Sequence, residues 1–70
     1  MTLRMVQAMA ETIEPGWTVS RDSLGRRWWA HPPWKLEGLV VEAETGEQLL
    51  QRIEWWRTAR GFLLRLPALG

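Results

Sequence analysis

Six tryptophans spread over 70 residues without a single cysteine set the terms on which this chain can fold. A domain of this length buries only about 60% of its unfolded surface, and each indole brings roughly 150–250 Å² that must be placed somewhere. No disulfide and no thiolate-bound metal can brace so small a core. Stability then rests on dense packing or on association, with a margin of about 3–5 kcal/mol for one unstapled domain. A core this small does not readily enclose six rings, so part of the aromatic surface is expected to stay outside. The lack of cysteine suits a reducing compartment, and a cytoplasmic bacterial protein is expected.

Periodicity divides the chain into five elements. Thr2 can cap a helix on which Leu3, Val6, Met9, Ala10 and Ile13 form one stripe at 3.6-residue spacing, with Arg4, Gln7, Glu11 and Glu14 on the opposite face. Pro15-Gly16 should stop it. From Trp17 to Arg21 the period becomes two, with Trp17 and Val19 on one side and Thr18 and Ser20 on the other. Asp22-Ser23-Leu24-Gly25 supplies turn chemistry, and Arg27 to His31 returns as a second strand that Pro32-Pro33 ends. Leu39, Val41 and Ala43 alternate with Gly38, Val40 and Glu42, giving a third strand. Thr45-Gly46-Glu47-Gln48 has the form of a capping box, followed by Leu49, Leu50, Ile53 and Trp56 on one helical stripe. Gly61 is expected to close this second helix.

The fold expected is therefore α+β: a three-stranded antiparallel sheet with two helices on one face, in the order α-β-β-β-α. Residues 1-61 make up this single domain, and residues 62-70 an apolar C-terminal extension. Phe62, Leu63, Leu64, Leu66 and Leu69, interrupted by Arg65 and Pro67, alternate as a strand does and could add to a sheet edge. No apolar run precedes Ala8-Met9-Ala10, so a signal peptide is not expected, and no stretch is long enough to span a membrane.

Chemistry is sparse. One histidine (His31), one aspartate (Asp22) and two serines (Ser20 and Ser23) are the whole stock for a nucleophile, base and orienter arrangement. Ser23, Asp22 and His31 flank the expected hairpin and could approach one another, but a chain this short has little mass to build a pocket around them. Glu42 and Glu44 share a strand face and read as a solvated edge. The six glycines stand singly, so no phosphate-binding loop is present. Neither a metal ion nor a cofactor is expected, and no enzyme.

What remains is surface. Trp28 and Trp29 are adjacent in a strand and must point to opposite faces of the sheet. Trp17 belongs with Val19 in the core. Trp55 falls on the polar side of the second helix, where a large exposed ring usually has a partner. Candidate interface residues are Trp55, Trp29, Trp34, Phe62, Leu64 and Leu66. The net charge of +1 lacks the excess typical of nucleic-acid binders, but Arg21, Arg26, Arg27 and Lys35 surround an aromatic group on which bases could stack.

The order helix, three strands, helix resembles the double-stranded RNA-binding domain and, in part, HicB-like antitoxin domains. Gly16-Trp17-Thr18-Val19, Trp28-Trp29-Ala30 and Glu44-Thr45-Gly46-Glu47-Gln48-Leu49 also resemble a group of short, uncharacterised actinobacterial proteins with the same order of elements. The RNA-binding likeness would imply a basic start to the second helix, where this chain has Glu44 and Glu47. The HicB-like one would imply an attached DNA-binding segment. The expectation is a non-catalytic protein-interaction module, homodimeric and regulatory in character, whose partner is a second copy or a larger protein. A small nucleic-acid-binding protein built on the Arg/Trp surface is the first alternative, and an accessory or inhibitory subunit of a larger protein the second.

Overall fold

The structure is a computed structural model that describes residues 1–34 and 38–65, the last five of these by their backbone alone. Its elements are α1 (Leu3–Ile13), β1 (Thr18–Arg21), β2 (Trp28–His31), β3 (Val41–Ala43) and α2 (Gly46–Arg65). The three strands form one antiparallel sheet in the order β1-β2-β3, and the α+β arrangement is the one expected.

Each element has a local cause. The Thr2 hydroxyl accepts the Met5 amide at 3.1 Å and opens α1. Pro15 and Gly16, the latter at φ +102°, turn the chain into β1. In the hairpin loop the Asp22 carboxylate accepts the amides of Arg26 and Arg27 at 2.8 and 3.3 Å, and Gly25 takes a positive φ of 68°. At the start of α2 the Thr45 hydroxyl accepts the Gln48 amide at 3.1 Å. Gln48 answers by accepting the amide of Glu44, one residue before the position a standard capping box would satisfy.

Register places the core. Val19, Ala30 and Val41 lie side by side across the sheet, and Trp28 stands opposite Ala43 in the next row on the same face. These residues, with Trp17, meet Val6 and Ala10 of α1 and Leu49, Leu50 and Ile53 of α2. Ala30 and Ala43 are small, which leaves room for the Trp28 ring beneath the helices. The opposite face carries Ser20, Trp29 and Glu42 in one row, and among the described residues no helix covers it.

Gly46 lets the start of α2 pack closely against α1 and the sheet. A Cβ there would stand 2.7 Å from Cγ2 of Val6 and 3.6 Å from the Trp28 ring. Gly46→Ala is therefore expected to destabilise the protein by about 1–2 kcal/mol, because overpacking against a buried β-branched side chain outweighs the gain in helix propensity. Chemical denaturation of the variant checks the sign.

Two expectations need correction. The second helix does not stop at Gly61 but runs to Arg65, so Phe62 and Leu64 are helical and the strand-like reading of this segment fails there. An interior glycine costs a helix only about 1 kcal/mol. The third strand is also shorter than its alternation suggested, pairing only from Val41 to Ala43. Leu66 and the rest of the apolar extension lie outside the described residues.

Candidate functional site

Two side chains assigned by periodicity to the solvent face of α1 turn out to hold the sheet and the second helix in place. Gln7 lies beside β1 and treats it as a neighbouring strand would. Its Nε2 donates to the Trp17 carbonyl at 2.7 Å, and its Oε1 accepts the Val19 amide at 2.8 Å. At the other edge, the Arg52 guanidinium of α2 donates to the Glu42 carbonyl in β3. Side chains thus engage backbone groups on both outer strands, which blunts the edges against strand addition.

Glu14, at the end of α1, is the second. Its Oε1 accepts the indole N–H of Trp17 at 2.9 Å and of Trp34 at 3.0 Å, and its Oε2 accepts from Arg60 of α2. The Arg60 guanidinium also lies over the Trp34 ring, 5.3 Å from its centroid. Trp34 meets Trp17 edge to face at 5.7 Å and Trp56 at 6.4 Å. One carboxylate, only 15% exposed, thereby ties the end of α1, the start of β1, the segment after β2 and the far part of α2. Burial pushes the Glu14 carboxyl upward, but the hydrogen bonds from Trp34 and Trp17 and the charge of Arg60 outweigh it and hold it below its ordinary value. The Nε–H of Arg60 is buried without an acceptor, so stacking on Trp34 and the Glu14 ion pair fix its position.

Trp34 is accordingly a partner within its own chain rather than a free interface ring. Trp29 is half-buried on the open sheet face between Ser20 and Glu42. Trp55 is different: 60% exposed, within α2, and in edge-to-face contact with Trp56 at 5.1 Å. Phe62 and Leu64 continue α2 beyond it, and Leu66 lies outside the described residues.

The described members of the arginine and tryptophan group divide between the two faces of the sheet. Arg21 packs its guanidinium over Trp28 on the core side, 5.8 Å from the ring centroid, while Trp29 faces the other way. Arg26 and Arg27 are exposed at the hairpin loop, and Lys35 lies outside the described residues. Arg26 and Arg27 share a cleft with Glu42, Glu44 and Arg52, where charges of both signs meet. The hairpin also keeps the scarce catalytic residue types apart. Asp22 is committed to loop amides next to the Arg21–Trp28 pair, whereas His31 pairs with Thr18 at the opposite end of the strands.

On the outer side of the helical layer, an open groove of about 430 Å³ runs between α1 and α2, lined by Met9, Thr12, Ile13, Leu50, Gln51 and Glu54. Its walls are mainly apolar, and periodicity alone did not reveal it. Met9, which the periodicity assigned to the buried stripe, is instead 45% exposed on its wall. Among the described residues no helix is long and apolar enough to cross a membrane, and no group of three or more acidic, histidine or cysteine side chains is placed to hold a metal ion. No protein-family model, curated protein or solved structure matches the chain, so its functional reading rests on its own residues.

Proposed function

We propose that this chain is a non-catalytic protein-interaction module that meets its partner through the outer face of the helical layer, with Trp55 as the anchor. The observation that carries this reading is the exposure of Trp55 within a helix, its ring packed edge-on against Trp56. A large ring held in one orientation loses little conformational freedom on docking, and tryptophan is among the residues most enriched at binding hot spots. The blunted sheet edges support a helical rather than a strand-adding contact. The separation of His31 from Asp22 and Ser23 supports a role without chemistry, and the packing of Arg21 on Trp28, on the sheet face away from Trp29, favours a protein partner over nucleic acid.

Native mass spectrometry of the full chain purified from its host checks the proposal. A complex heavier than the 8.2 kDa chain is expected, and Trp55→Ala should abolish it while leaving the thermal midpoint within a few degrees of the parent. A complex that survives Trp55→Ala, or a chain found alone at every concentration, would overturn the reading.

A further inference from the structure

Resting on that reading, we infer that the partner is a second copy of this chain, and that each copy inserts Trp55 into the groove between α1 and α2 of the other. Anchor and socket lie side by side on one surface. Gln51 lines the groove, and Trp55 sits one helical turn further along α2, so the two positions are neighbours on the helix surface. A two-fold axis passing between paired α2 helices then brings each ring over the opposite groove, as the isologous contact of a symmetric dimer requires.

The chemistry of the socket suits an indole. Met9, Ile13 and Leu50 supply a thioether and branched aliphatic walls, and sulfur packs well against aromatic edges. Glu54 and Gln51 at the rim offer acceptors for the indole N–H. Glu54 at present pairs with Arg57 on its own helix at 3.0 Å, both side chains being about half exposed. Across a two-fold axis the same glutamate and arginine can pair between copies, so the rim is complementary in charge to itself. The exposed part of Trp55 and the groove walls are small against the roughly 1,000 Å² that a stable specific interface buries, so the contact belongs to the weak, transient class.

Sedimentation equilibrium of the full chain, from micromolar to hundreds of micromolar, tests this with two surface variants. Trp55→Ala removes the anchor and keeps the socket, whereas Met9→Lys puts an ammonium into the socket and keeps the anchor. Circular dichroism verifies that each remains folded, as the exposure of both residues leads one to expect. Each variant alone should self-associate at least about thirtyfold more weakly than the parent. An equimolar mixture of the two should associate more tightly than either alone, because a heterodimer regains one intact ring and groove pair.

A parent chain that stays monomeric overturns the inference, and so does a Met9→Lys variant that dimerises normally, as it would if the two Trp55 rings stacked directly. Failure of the mixture to recover association counts against it equally. A foreign partner bound through Trp55 by an otherwise monomeric chain would remove the self-association alone and leave the proposed function standing. A dimer indifferent to Trp55 would remove both.

Discussion

Replacing Glu14 with alanine is expected to leave most of the protein unfolded at neutral pH. The carboxylate accepts two indole N–H groups and pairs with Arg60, and all these donors lose their acceptor at once. A part-buried donor left without a partner costs about 1–3 kcal/mol, more when it is charged. The sum is at least about 3 kcal/mol, comparable with the whole margin of a domain this small. Glu14→Gln should be milder, because the amide oxygen can still receive both indoles while its NH₂ meets Arg60 without the ion pair. Urea denaturation of the two variants separates indole bonding from charge.

The same carboxylate makes stability depend on pH, and the sign follows from its depressed titration. Glu14 binds a proton less readily in the folded chain than at its ordinary value of 4.5 in the unfolded one. Its contribution is fully present above that value and is lost as pH falls through the lower folded value. Asp22 titrates low in the same direction: burial raises its carboxyl, but the backbone amides of Arg27, Arg26 and Gly25 lower it further. Denaturation midpoints measured from neutral pH down into the acid range should therefore decline, and the decline should be shallower in Glu14→Gln, with the part due to Asp22 remaining. A decline unchanged by that substitution would show that Glu14 is not a main source of the acid sensitivity.

Why the sheet and the helix starts could be read directly, while Glu14 could not, comes down to the range of the forces involved. The alternation of Trp17 and Val19 against Thr18 and Ser20 records which face is buried, and the structure keeps that division. Thr2 and Thr45 act on amides three residues away, so their capping is written in neighbouring letters. The interior of the adjacent pair Trp28 and Trp29 needed the third dimension, since alternation says that they diverge without saying which points inward. Glu14 meets Trp34 across 20 positions and Arg60 across 46. No local pattern distinguishes such a glutamate from one that faces water. The groove between the helices is equally non-local, because its walls come from α1 and α2 and neither stripe alone describes a gap. For Trp55 the helical wheel placed the ring among polar residues but left open whether another part of the chain covers it, and the structure leaves it 60% exposed.

Gln7→Leu is expected to destabilise the protein by about 2–4 kcal/mol and also to change how it fails. The side-chain amide occupies both the Trp17 carbonyl and the Val19 amide, the pair of groups that a neighbouring strand would use. Leucine fills a similar volume but leaves both part-buried groups unpaired, at about 1–3 kcal/mol each. It also opens an edge strand that now offers a free donor and acceptor beside the apolar Trp17, which is the template for pairing with another chain. Loss of stability should thus be accompanied by β-rich association that grows with concentration, seen as an infrared band of intermolecular strands and distinct from any dimer made through the helices. Gln7→Glu keeps the acceptor for Val19 and loses the donor to Trp17, setting a carboxylate against a carbonyl. It should fall between the parent and Gln7→Leu in strand pairing, because its charge repels an incoming copy even as it weakens the native contact. If Gln7→Leu unfolds at the parent's denaturant concentration and stays monomeric, the amide is not what closes that edge, and the protection of β1 must come from the body of α1 alone.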